Sequence, residues 1–259
     1  MCEKCGCGDR PALPVAQGPH GHDHDHDDHG AAALLLANDR HAERNRGFFR
    51  AKRCFVLNLL SFGSSNAAAL VARSQAAFGR DLGLVVVDAA RLAALGAAHT
   101  HDNHAVPTAP NTADLVIPTI DAHMIGHVLD ELDLDACRVL LIANSGSIVG
   151  QAVHDLGEHA RAVVFSVREG ERKPLKAPLA FEGVELVMIN DGEAAAACGF
   201  DRDAAKANIG QVAPAAEIIE LSAATGAGLD AWRAWLERRC PGTAAPREVS
   251  SSRTLNTEH

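Results

Sequence analysis

The feature that most constrains this chain is a set of six short apolar runs, at residues 54–60, 84–87, 138–142, 162–167, 184–189 and 217–221. They are rich in Val, Ile and Leu and do not alternate with polar residues, the pattern of strands covered on both faces. Stretches with helical spacing, 67–78, 121–132, 203–212 and 229–238, lie between several of them. Strand, helix, strand repeated predicts an α/β fold with a doubly wound, mostly parallel sheet and flanking helices. Ligands of such sheets sit beyond the C-terminal strand ends, so the turns after Leu60, Ile142 and Ile189 are where function belongs.

The first run continues as Cys54-Phe-Val-Leu-Asn-Leu-Leu-Ser-Phe-Gly-Ser-Ser-Asn-Ala-Ala-Ala-Leu-Val-Ala72, an apolar strand, a small-residue turn and an alanine-rich helix. This is the outline of a phosphate-binding loop, which makes the fold P-loop NTPase-like. The turn carries neither the lysine that reaches the phosphates nor the Ser or Thr that follows it and binds magnesium.

With 259 residues and 47% hydrophobic content, the chain suits one domain of roughly 200 residues plus tails. Its formal charge of −9 argues against nucleic acid or a membrane surface as partner, because both are polyanionic. No apolar run is long enough to span a membrane and no signal peptide is visible, so a cytoplasmic protein is expected. Residues 51–240 read as the globular domain, 31–50 as an amphipathic leading helix and 241–259 as a flexible tail.

Residues 1–30 offer almost nothing to bury, so chain entropy favours a disordered tail in the absence of metal. Three of the seven cysteines, Cys2, Cys5 and Cys7, fall within it, and Gly6 gives the backbone freedom to fold them round one ion. His20, His22, His24, His26 and His29 then put five imidazoles in ten residues, interleaved with Asp23, Asp25, Asp27 and Asp28. Neutral imidazole and thiolate suit nickel, zinc or copper(I), so the tail reads as a metal-binding segment. Cys54, Cys137, Cys198 and Cys240 are scattered and read as ordinary thiols.

These pieces, in this order, resemble the HypB family, the nickel-insertion GTPases of nickel–iron hydrogenase maturation. The resemblance is carried by Met1-Cys-Glu-Lys-Cys-Gly-Cys-Gly8 with the histidine tract, Leu36-Ala-Asn-Asp-Arg40, Leu57-Asn-Leu-Leu-Ser61 and Asp121-Ala-His-Met124. It continues in Asp155-Leu-Gly-Glu158, Ser166-Val-Arg-Glu-Gly-Glu-Arg-Lys-Pro-Leu-Lys176, Phe200-Asp201 and Leu221-Ser-Ala-Ala-Thr-Gly-Ala-Gly-Leu-Asp-Ala-Trp232. It implies a GTPase fold that dimerises with nucleotide and binds nickel at an N-terminal thiolate site, here Cys2, Cys5 and Cys7. It also implies partners among the maturation proteins and the hydrogenase large subunit.

The nucleotide half departs from the family. Its Gly-Lys-Thr-Thr falls on Asn66, Ala67, Ala68 and Ala69, and Asn66 stands where the turn requires positive φ. The guanine-reading Asn-Lys-x-Asp becomes Asn190-Asp-Gly-Glu193, and Glu-Asn-Val-Gly becomes Ala143-Asn-Ser-Gly146. What is left of a nucleotide site is Gly63, Ser64, Ser65, Asn190, Glu193, Ser222 and Ala223. A charge-assisted phosphate contact contributes about 1.5–3 kcal/mol, so GTP and magnesium are expected to bind weakly and hydrolysis to be weak or absent.

The family's second metal site is lost too: its Cys-His falls on Pro118-Thr119 and its later cysteine on Gly150. His99, His101 and His104 have ligand spacing in a nearby insertion, with His123, His127 and His154 elsewhere in the domain, so a substitute site can draw on these. The sequence thus supports a nickel-binding accessory protein with a pseudo-GTPase domain. It leaves open a working GTPase with a divergent loop, and a stand-alone nickel or zinc buffer.

Overall fold

The computed structural model describes residues 26–63, 65–88, 104–105, 112–115, 120–129, 132–145 and 154–240, and of residues 26–34, 86–88, 104–105, 112–115 and 145 the backbone alone. The chain divides into two compact units, Met1–Leu34 and Leu35–His259. In the first, the described part is helical backbone from His26 onward. Helix α1 spans His26–Lys52 and so begins inside the histidine tract, five residues before the expected start at 31. Three alanines at 31–33 favour helix propagation.

The second unit is built on an eight-stranded sheet. Its strands are β1 Phe55–Ser61, β2 Leu82–Asp88, β3 His104–Ala105, β4 Thr112–Leu115, β5 Val139–Ser145, β6 Ala160–Ser166, β7 Leu186–Asn190 and β8 Glu217–Glu220, in the order β3-β4-β2-β5-β1-β6-β7-β8. Every neighbouring pair is parallel except β3 with β4. All six apolar runs form strands. The antiparallel β3–β4 edge falls in a stretch with no strand periodicity, and a two-residue ladder gives none to read.

The central strand explains the lack of alternation. All seven residues of β1 are buried. Leu57 and Leu59 pack with Leu70 of α2 (Ala67–Phe78) and with Trp232 and Trp235 of α5 (Leu229–Arg239). Val56 packs on the opposite side with Phe49 of α1 and with Ile125 and Val128 of α3 (Ala122–Val128). Leu60 enters a third cluster with Phe165, Phe181 and Ile209, the last on α4 (Arg202–Val212). Helix α3 is shorter than the expected 121–132, with Asp121 as its cap: its carboxylate accepts from the Met124 amide at 2.9 Å.

Buried amides fasten the second half of α1. Asn38 donates to the Asp155 carbonyl at 2.8 Å and accepts from the Ala122 amide at 2.9 Å. Asn45 donates to the carbonyls of Ala122, at 2.7 Å, and Leu156, at 3.1 Å. Gly157 takes φ +88°, and a Cβ there would lie 2.5 Å from the Ala42 carbonyl oxygen, so only glycine lets loop and helix approach so closely. The segments 36–40, 121–124 and 155–158 are therefore one docking joint. Among the described residues no helix is long and apolar enough to cross a membrane.

Candidate functional site

Three loops meet beyond the C-terminal ends of β1, β7 and β8. The first follows β1. The Ser65 amide donates to the Phe62 carbonyl at 2.9 Å, closing a tight turn, and Asn66 then caps α2 with φ 52° and ψ 35°. That left-handed conformation is the positive φ expected at this position, and asparagine is among the side chains that tolerate it best. The Asn66 side chain makes no capping bond. Ser65 is fully buried and its hydroxyl has no hydrogen-bond partner among the described residues.

Asn190, at the end of β7, ties this turn to the last loop. Its Nδ2 donates to the Ser65 carbonyl at 2.6 Å, and its Oδ1 accepts from the Ala223 amide at 2.8 Å. The residue is fully buried, so both ends of its amide serve the protein rather than a ligand. Asp191 follows in the left-handed region at φ 60° and turns inward, its Oδ2 2.6 Å from the Ser166 hydroxyl. Glu193 is exposed, and hydrogen bonds with its own backbone amide and then the Ser222 hydroxyl hold its carboxyl below the usual range.

The last loop, after β8, is self-contained. The Ser222 hydroxyl accepts from the Thr225 amide at 3.0 Å, and Arg73 of α2 donates to the carbonyls of Ala223 and Ala224. Ser222 and Ala223 are both buried. Arg73 and Ser166 were not singled out as site residues from the sequence; an arginine on an alanine-rich helix and a serine closing a strand carry no signal of their own. Beside the first turn, the Lys173 ammonium lies 3.8 Å over the Phe62 ring and 3.2 Å from a Glu169 carboxylate oxygen. At the end of β5, the Asn144 carbonyl accepts from the Ser61 hydroxyl at 3.0 Å. The Asn144 side chain is buried, with neither polar atom partnered among the described residues.

The candidate residues therefore divide. Gly63, Ser65, Asn190, Glu193, Ser222 and Ala223 are brought to one end of the sheet, and Ser64 lies outside the described residues. So do Cys2, Cys5, Cys7, His20, His22, His24, His99 and His101. His26 and His29 lie in the first turns of α1 and His104 in β3, as backbone. His154 sits on the loop before β6, where the Arg161 guanidinium donates to its carbonyl at 3.0 Å.

No family model matches the chain. It is 38% identical over 215 residues to the hydrogenase maturation factor HypB of Azotobacter vinelandii, an overlap covering 80% of this chain and 67% of that protein. The chain belongs to the HypB family. The HypB structure from Archaeoglobus fulgidus matches with a TM-score of 0.63 and 30% identity over 78% of this chain and 98% of that one. HypB from Helicobacter pylori, solved in complex with nickel, shares the fold with a TM-score of 0.64 at 22% identity, over 81% of this chain and all of its own.

The first turn of α2 is made by Ala67, Ala68 and Ala69, whose side chains end at Cβ. They supply neither the ammonium that neutralises phosphate nor an oxygen for the metal. The helix N-terminus is an anion-attracting dipole, capped by Asn66.

Proposed function

We propose that this HypB-family chain is a nickel-binding accessory protein of nickel–iron hydrogenase maturation whose GTPase domain serves as a scaffold. The observation that carries the scaffold reading is the Asn190 strut. A buried amide with both ends committed to Ser65 and Ala223 holds the phosphate turn and the guanine loop together from within. The turn it braces lacks the charged groups a triphosphate requires. Support for the nickel role comes from the Cys2, Cys5 and Cys7 cluster and the histidine tract, together with the relatives' part in hydrogenase maturation.

On this reading the thiolates of Cys2, Cys5 and Cys7 hold the ion, zinc being the competing cargo, and His20, His22, His24, His26 and His29 hold further equivalents. Partners are the maturation proteins and the hydrogenase large subunit, and any homodimer forms without nucleotide control. The test is a pair of titrations on the full chain. Ni(II) is expected to give a thiolate charge-transfer band that a Cys2/Cys5/Cys7→Ala variant lacks. GTP with magnesium is expected to bind more weakly than roughly 10 μM; tighter binding overturns the scaffold reading.

One observation favours a working GTPase. Lys173 stands beside the first turn, and Ser65 and Asn144 keep unpartnered polar atoms at neighbouring strand ends. If Lys173 replaces the missing lysine, Lys173→Gln removes GTP binding in the same calorimetry; in the scaffold reading it changes nothing.

A further inference from the structure

We propose that Cys54 and Cys137 are an oxidisable pair that closes into a disulfide across the start of the central strands, with a low-molecular-weight disulfide such as oxidised glutathione as the electron acceptor. The two cysteines are 83 positions apart, and the fold brings their Sγ atoms to 3.8 Å with both side chains buried. That is contact between the sulfurs. Bond formation closes the gap to about 2.0 Å, a shift of roughly 0.9 Å for each sulfur.

The backbone around the pair is already placed for the bond. Cys54 immediately precedes β1 and Cys137 lies two residues before β5, and these strands pair in parallel. The Phe55 amide donates to the Arg138 carbonyl at 2.9 Å, so the residues that follow the two cysteines are hydrogen-bonded neighbours. Paired strands run about 4.7–4.9 Å apart, within the roughly 4.4–6.8 Å that a disulfide spans between Cα atoms. On the other side, Arg53 turns the chain at φ 54° and the Cys54 amide donates to the Phe49 carbonyl at 3.1 Å, which fixes the end of α1 against the strand. Of the other described cysteines, Cys198 is exposed, and Cys240 packs in the cluster of Trp232 and Trp235 rather than with this pair.

The same burial sets how the bond forms. Hydrogen bonding with the Cys137 thiol, then burial, pushes the Cys54 pKa up, and the thiolate is the reacting form. Exchange therefore proceeds during folding or through local opening of the strand ends. A Cys54 thiolate displaces one glutathione thiolate to give a mixed disulfide, and the Cys137 thiolate then displaces the second. The two cysteine protons end on the two released glutathiones, so the protein loses two electrons and the acceptor gains them. Once closed, the bond is shielded from reductant by the same core, and it ties the end of α1 to β5. The pair uses none of the tail ligands and does not rest on the nickel reading.

The test uses the full-length chain with Cys2→Ser, Cys5→Ser, Cys7→Ser and Cys198→Ser, refolded from urea in mixtures of reduced and oxidised glutathione so that burial does not limit the exchange. Peptide mapping without reductant should find Cys54 joined to Cys137 and not to Cys240. The oxidised chain should melt about 5–15 °C above the reduced one, a rise that Cys54→Ala and Cys137→Ala each abolish and Cys240→Ala leaves in place. In the folded protein, urea below the unfolding transition should speed formation of the bond at least about tenfold. The wild-type chain, mapped with and without oxidised glutathione, keeps the result readable where a variant fails to fold. Absence of the Cys54–Cys137 peptide at every glutathione ratio, a preferred link to Cys240, or an oxidised form no more stable than the reduced one overturns the pair.

Discussion

Asn190 looks in sequence like the remnant of a base-reading motif, and in the structure it is a strut with no free end. Asn190→Ala leaves the Ser65 carbonyl and the Ala223 amide without their partner, at about 1–3 kcal/mol for each buried group left unpaired. Urea denaturation should show that loss, while metal binding by the tail is unaffected. His159 gives a second prediction. Its Nδ1 accepts from the Val56 amide at 3.1 Å, which requires that nitrogen to be unprotonated. Burial, then the charges of Arg50 and Arg46, hold its pKa below the ordinary 6.5. Because the folded value is the lower one, the stability His159 contributes is complete above pH 6.5 and is lost as pH falls through the folded value. Melting temperatures should therefore fall more steeply toward pH 5 in the wild type than in His159→Asn, whose amide oxygen accepts at any pH; equal slopes refute this. At this scale the sequence showed which chemistry was missing, the lysine and the hydroxyl, and the need for positive φ at Asn66. It did not show where the surviving side chains point, because Asn190 and Asp191 have the same identity whether they face a base or the interior.

The elements were more legible than the side chains. Runs buried on both faces have no polar period to confuse them, so all six were found, and α2 has the bounds read from its spacing. The single-turn helices Lys173–Lys176, Pro178–Phe181 and Ala195–Cys198 were not, because one turn is too short to set a period. Nor was the role of Leu36-Ala-Asn-Asp-Arg40 and Asp155-Leu-Gly-Glu158 as two halves of one joint, since residues more than a hundred positions apart carry no local sign of contact. That joint supplies the prediction for this scale. Gly157→Ala places a methyl 2.5 Å from the Ala42 carbonyl at a φ that disfavours alanine. Backbone strain of this kind costs about 1–3 kcal/mol, with the steric overlap added. Hydrogen exchange should show α1 amides from 38 to 46 losing protection before those of β1 and β5; uniform loss across the unit would show that α1 is not a separately fastened element.

For the whole molecule, the proposed function separates nickel from nucleotide along the chain: thiolate and imidazole ligands in the first thirty residues, and a sheet that serves as scaffold. Restoring the nucleotide groups tests that division. The changes Asn66→Gly, Ala67→Lys, Ala68→Thr and Ala69→Thr rebuild the family's quartet on a helix start already in position. They are expected to raise GTP affinity at least tenfold, about 1.4 kcal/mol for one recovered charged contact, by calorimetry with magnesium. No gain would mean that the inward-turned Asp191 and the internal strut have closed the base and phosphate subsites together. The strut has a further implication for how this domain tolerates change. Since Asn190 joins the strand-end loops without help from a ligand, the residues around it are uncoupled in their freedom to vary. A saturation library scored for soluble expression should accept most replacements at 67–69 and reject nearly all at Asn190 and Ser166, an asymmetry opposite to that of a nucleotide-dependent switch.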